Sequence, residues 1–211
     1  MGCEIAHLEW RDVLKAGAYD LNMSADTEII SRKLFSVQEF QRISDAGIFP
    51  PDSRFELIRG EIFEMPVPTR IHSGRVNKLT RVFTSKLGES AIVCIQNPMF
   101  IDKMSEPRPD VVICKPLPEL FGPFEPEPSD VLLLVEISDT SLRYDTKIKS
   151  RLYADAAIPE YWILNIPDDV LQVRTEPADG EYRRIENLIR GRSITAKMLP
   201  DIVFTIDELL A

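Results

Sequence analysis

Two strongly apolar runs, VLLLVEI at residues 131–137 and EYWILNI at residues 160–166, flank a single helical stretch. Such runs lack the in–out alternation of a half-buried strand, so they belong in a sheet covered on both faces. A strand, a helix and a second strand in that order make a right-handed crossover with the two strands parallel. Ile148, Leu152 and Ala156 mark the buried side of the intervening helix, and Pro159 follows its end near Ala157. Asp145 is placed to cap its start.

The segments before this crossover supply the rest of an α/β domain. Ser36 and Glu39 have the spacing of a capping box, which predicts a short helix to about Asp45. FELIRGEIFEM reads as two strands with a tight turn at Arg59-Gly60. His72, Val76, Leu79 and Phe83 share one face of a helix over residues 71–87. Strands are expected over residues 91–101 and in RPDVVIC. The Pro-rich stretch from Lys115 to Ser129 reads as an irregular loop. No helix separates these strands from VLLLVEI, so antiparallel pairing is expected among them. LQVRT and EYRRIE suggest a terminal hairpin. The fold class is therefore α/β: a mixed central sheet flanked by helices, with an αβββαβ core, an added N-terminal helix and β-hairpin, and a C-terminal hairpin.

With 211 residues the chain suits one domain with a short appendage. Residues 1–33 are expected to be a mobile extension, with Met23 a candidate true start, and residues 34–211 a single domain. No run approaches the roughly 18 apolar residues of a membrane span, and MGCEIAHLEW is too polar for a signal peptide. Cys3, Cys94 and Cys114 are odd in number and widely spaced, which suggests neither a disulfide framework nor a zinc site. A reducing cytoplasm is the expected location. The net charge of −9 is unlike the basic balance usual in nucleic-acid binders. Basic residues nevertheless cluster at Arg143, Lys147, Lys149 and Arg151, and again from Arg183 to Lys197.

Glu136 ends the most apolar strand, where one more aliphatic side chain would be expected. If the strands either side of the Pro-rich loop are antiparallel neighbours, Asp110 at the start of one lies roughly 5 Å from Glu136 at the end of the other. Two such carboxylates repel, so one takes a proton or a cation sits between them. Oxygen donors favour a hard ion, Mg²⁺ or Mn²⁺. Lys149, early in the following helix, could reach back over the strand end toward a phosphate. Each residue also has a plainer reading. Glu136 could be an exposed strand-end glutamate, and Lys149 could pair with Asp145 at i, i+4.

These residues together resemble a known family. FELIRGE, His72, RPDVVI, VEIS, Tyr144-Asp145, Lys149, Tyr153-Ala154 and IPEYW are similar to the Uma2 family, also called DUF820, from about Leu34 to the C-terminus. That family is placed in the PD-(D/E)XK restriction-endonuclease-like fold. The resemblance implies that Asp110 is the PD aspartate and Glu136 the second acidic metal ligand. The general motif has lysine two residues after the glutamate, where this chain has Ser138; Lys149 stands as its substitute. Glu61 matches the family's Gly-Glu pair and would add a carboxylate, against a plainer reading as a turn-flanking residue. His72 matches a family histidine and would be a general base or an outer-shell ligand, against a plainer reading as a satisfied core residue.

The function to expect is that of a Mg²⁺-dependent endonuclease acting on DNA. Asp110 and Glu136 hold the metal, Lys149 assists, and Glu61 and His72 are further catalytic candidates. A homodimer is compatible with this reading, and no membrane is involved. The rival is a catalytically degenerate nuclease-fold module that binds DNA or a protein partner. The acidic charge and Ser138 point that way, and a response to Mg²⁺ or Mn²⁺ discriminates the two.

Overall fold

The computed structural model describes residues 31–116 and 124–211. The expectations for residues 1–22 and for Met23 lie outside the described residues. No described helix is long and apolar enough to cross a membrane.

Helix α1 (Val37–Asp45) starts at the capping box: Ser36 Oγ accepts from Glu39 N at 3.2 Å, and Glu39 Oε2 accepts from Ser36 N at 2.9 Å. Strands β1 (Arg54–Ile58) and β2 (Glu61–Met65) form the antiparallel hairpin, with Ile58 opposite Glu61. Arg59 and Gly60 both take positive φ, 52° and 81°, as a type I′ turn requires. A Cβ on Gly60 would also lie 2.6 Å from Leu34 Cβ, so close approach demands glycine there as well. Val37, Phe40 and Leu57 join α1 to this hairpin in a small core.

Helix α2 (Arg70–Leu87) is capped by Thr69, whose hydroxyl accepts from His72 N at 3.0 Å. Then come β3 (Ile92–Ile95), β4 (Val111–Cys114) and β5 (Val131–Ser138). A helical segment over residues 142–155, here α3, leads to β6 (Glu160–Asn165). Strands β7 (Val170–Ala178) and β8 (Glu181–Leu188) follow. The six strands lie in the order β3-β4-β5-β6-β7-β8. β3, β4 and β5 pair antiparallel and β5 pairs β6 parallel, as the crossover argument predicts. Every residue of β5 is buried. Val111, Leu133, Val135 and Trp162 face α2, while Val112, Leu134 and Tyr161 face Leu152 and Tyr153 of α3.

Four local expectations are corrected. β3 ends at Ile95 rather than near residue 101, because Gln96 turns to φ 53° and leaves the ladder. The expected hairpin of LQVRT and EYRRIE forms as β7 with β8, but it is not terminal, and it continues the central sheet through antiparallel β6–β7 pairing. Beyond it the chain forms a further hairpin, β9 (Ser193–Ala196) with β10 (Leu199–Thr205), and a short helix α4 (Ile206–Leu210). Asp145 does not cap α3: the helix begins at Leu142, and Asp145 opens a π turn, Asp145–Lys149, that closes with Ser150 N donating to Asp145 O. That wider turn rotates the following residues, so Ile148 is 39% exposed and Lys149 faces the sheet instead.

Candidate active site

The β4–β5 register sets Val111 opposite Val135, so Asp110 and Glu136 meet just beyond the paired residues. They interlock through backbone as well as side chain. Asp110 N donates to Glu136 Oε2 at 3.2 Å, and Ile137 N donates to Asp110 Oδ2 at 2.9 Å. Both carboxylates are buried. The carboxylate pair expected from the sequence is thus brought together.

Lys149 enters from α3 on the same face of β5 as Glu136. Its Nζ lies 2.9 Å from Glu136 Oε1 and 3.0 Å from Glu56 Oε1. Glu56 comes from the N-terminal hairpin. Leu57 and Glu106 exchange backbone hydrogen bonds, and Gly60 N donates to Met104 O, which fasten that hairpin to the segment leading into β4. Arg108 N then donates to Glu56 Oε1 at 3.2 Å. Tyr153 donates its hydroxyl to Glu136 Oε1 at 2.9 Å, and Tyr144 donates to Glu56 Oε2 at 3.2 Å. Asp145, instead of pairing with Lys149, accepts from Ser138 Oγ at 2.6 Å and Ser141 Oγ at 2.5 Å. Ser138 therefore anchors the helix that carries the lysine.

On the opposite side, His72 Nε2 lies 3.0 Å from Asp110 Oδ2, and Gln96 Nε2 donates to Asp110 Oδ1 at 3.0 Å. Among the described residues, the buried Nδ1 of His72 has no hydrogen-bond partner. A cavity of about 60 Å³, lined by Glu56, His72, Asp110 and Lys149 among others, opens beside these groups. That is room for a few waters.

The charges are unevenly matched. Burial opposes the charged form of Asp110, yet the hydrogen bond from His72 and the nearby charges of His72 and Lys149 hold its carboxyl below the usual range. An ionised Asp110 only accepts, so His72 donates to it through Nε2–H. Burial pushes Glu136 well above the usual range; Lys149 opposes this, and Asp110, Asp145 and Glu56 add to it. Burial also works against the Lys149 ammonium, but Glu136, Glu56 and Asp145 outweigh it and raise its pKa well above the ordinary value. Lys149 is thus held toward its protonated form. Glu56, Asp110, Glu136 and Asp145 surround this single ammonium with an excess of carboxylates.

A family model described as "Putative restriction endonuclease", Uma2, matches residues 37–207. The chain belongs to the Uma2 family. Among solved structures, it is similar to a putative nuclease belonging to DUF820 from Anabaena variabilis ATCC 29413, at 14% identity and a TM-score of 0.63. The similarity covers 83% of this chain and 97% of that one. At this identity the likeness concerns the fold, a mixed α/β nuclease-type architecture. No curated protein matches the chain.

In this Uma2 chain, Asp110, Glu136, Lys149 and His72 converge. Glu61 lies at the turn end of the hairpin, opposite Ile58, and does not line the cavity. Glu56, on the same hairpin and nearer its open end, reaches the site instead. Sequence reasoning missed Glu56, Gln96 and the two tyrosine hydroxyls. The signal for Glu56 was present in FELIRGE: a carboxylate between Phe55 and Leu57 in a strand that otherwise packs inward.

Proposed function

We propose that this Uma2 protein is a divalent-metal-dependent nuclease that hydrolyses phosphodiester bonds of DNA at the cavity beside Asp110. The observation that carries the reading is the buried excess of carboxylates around Lys149. Among the described residues no three of His, Cys, Asp and Glu converge as a ready metal cage. The donor chemistry nevertheless fits a hard cation, since carboxylate oxygens predominate and burial leaves Glu136 short of compensating charge. Asp110 and Glu136 would hold Mg²⁺ or Mn²⁺, with Glu56 at hand. Such an ion supplies Lewis acidity toward a phosphoryl oxygen and toward water.

The chain's own residues supply the rest. Lys149, held toward its protonated form by Glu136 and Glu56, lines the cavity and can stabilise charge developing on the phosphate oxygens. His72, oriented by Asp110 and lining the cavity, would serve as the proton acceptor for the attacking water. Tyr153 and Tyr144 keep Glu136 and Glu56 in place by donating to the oxygens that face them. Cys94 and Cys114 are free and buried, which suits a reducing cytoplasm.

The test is cleavage of plasmid DNA with Mg²⁺ or Mn²⁺, run beside Asp110→Asn. Metal-dependent nicking that the variant lacks supports the reading. Absence of cleavage, together with a melting temperature indifferent to either ion, would favour a non-catalytic DNA- or protein-binding module.

A further inference from the structure

The cavity at Asp110 does not stand alone. A cleft of about 1010 Å³ opens beside it, between α1, the β1–β2 hairpin and the loop after β3. Arg54 and Arg108 line both the cleft and the site cavity, so the two spaces share a wall. Among the described residues neither arginine forms a salt bridge, although Arg108 lies within electrostatic reach of Glu106.

The cleft carries aromatic rings away from that shared wall. Phe49 and Phe55 stack with centroids 4.1 Å apart and planes 21° from parallel, and Phe40 leans on Phe49 at 5.6 Å. Phe49 and Phe55 are only half-buried and face the cleft. Both rings pack against the small core of Val37, Phe40 and Leu57 on one side and keep part of their surface open on the other. Here they present a partly open stack beside two guanidinium groups that form no salt bridge with a described carboxylate. The acidic residues in the cleft are Asp45, Glu106 and Glu125. Glu106 is buried, accepts from Gln41 Nε2 at 2.7 Å, and is shifted by burial toward its neutral form.

We propose that this cleft binds an unpaired stretch of the substrate strand next to the scissile phosphate, with bases extending the Phe49–Phe55 stack and phosphates held by Arg54 and Arg108. The inference rests on the nuclease reading of the neighbouring cavity and adds a substrate class to it: nucleic acid with a single-stranded segment. Aromatic faces accept any base, and a guanidinium fork suits phosphate. A blunt, fully paired duplex keeps its bases in its own stack and leaves the rings unused.

The test is fluorescence anisotropy on the full chain with a fluorescein-labelled oligothymidine, against a blunt duplex of the same length. Ca²⁺ replaces Mg²⁺ so that binding is read apart from turnover. The single strand should bind more tightly. Phe49→Leu keeps apolar volume but removes the ring, and should weaken single-strand binding by roughly tenfold or more. Phe49→Trp should restore it. Arg54→Ala with Arg108→Ala should flatten the salt dependence by roughly 0.7 for each phosphate that is no longer neutralised. Equal affinity for duplex and single strand overturns the proposal. So does Phe49→Leu binding that matches the wild type, or a weakening that Phe49→Trp fails to recover although circular dichroism shows a folded chain. Cleavage is scored separately with Mg²⁺. Binding without cleavage removes the nuclease reading and leaves the cleft, whereas cleavage indifferent to Phe49→Leu on both substrates removes the cleft and leaves the nuclease.

Discussion

Nζ of Lys149 lies 2.9 Å from Oε1 of Glu136, where both side chains are 3% exposed. An ideal α-helix would have faced Lys149 toward Asp145 at i, i+4. The π turn over Asp145–Lys149 adds a residue to that revolution and turns the lysine to the sheet. The same turn frees Asp145 to take the Ser138 and Ser141 hydroxyls.

Lys149→Met should therefore damage the fold as well as any activity. It leaves Glu56 and Glu136 buried with no ammonium between them. Removing one partner of a buried ion pair typically costs about 3–5 kcal/mol. Urea denaturation should show a destabilisation of that order. Asp145→Asn, which keeps the lysine and its two carboxylate partners, should destabilise distinctly less. Equal effects would mean that Lys149 has no separate structural role.

Glu56 and Glu61 separate by position. Glu56→Gln should reduce Mg²⁺-dependent cleavage by roughly 10²-fold or more, since preorganised charge at a reacting centre carries effects of that size. Glu61→Gln should stay close to wild type, because Glu61 does not line the cavity. A larger effect from Glu61→Gln would restore the Gly-Glu pair as the functional element of the hairpin.

In chelator, stability should depend on pH through Glu136. Its folded pKa is raised by burial and by Asp110 against the opposition of Lys149. Its contribution is thus complete below the ordinary glutamate value of about 4.3 and is lost as pH climbs through the raised value. Asp110 acts in the opposite sense. Its carboxyl is held low, so its contribution holds above about 3.9 and disappears as pH falls through the depressed value. Above both ordinary values the metal-free melting temperature should fall as pH rises from mildly acidic to mildly basic. Mg²⁺ should narrow that fall, and Glu136→Gln should flatten it. A profile unchanged by Glu136→Gln would count against strained charge at this residue.

His72→Gln tests the proton acceptor. Glutamine can still donate to Asp110, but the basic imidazole is gone. Cleavage should slow by about 10²–10⁴-fold, the range for general acid–base groups, with melting within a few degrees of wild type. Unchanged cleavage would confine His72 to positioning Asp110.

Much of the fold was legible in short stretches. The Ser36–Glu39 capping box, the Arg59-Gly60 turn and the apolar stripe of α2 each depend on groups a few residues apart, so local sequence carries them. The strand–helix–strand order likewise made β5 and β6 parallel before any contact was known. Asp110 and Glu136 could be paired because β4 and β5 are neighbours in a simple antiparallel ladder. Features that depended on distant packing were misread. Asp145 looks like a cap until Ser138 and Ser141 claim its carboxylate, and Gln96 looks like mid-strand until it turns to φ 53° to reach Asp110.

The amino-acid sequence by itself determined most of the elements as far as β8, their order, the antiparallel β3–β4–β5 and parallel β5–β6 pairings, and one pair of converging acids. The rest of the site was decided by the tertiary structure. Glu56 meets Lys149 across 93 residues of chain, because the hairpin is pinned by backbone hydrogen bonds between Leu57 and Glu106. No local pattern encodes such a meeting. It follows from where the hairpin docks, and from a π turn that aims one ammonium at two buried carboxylates.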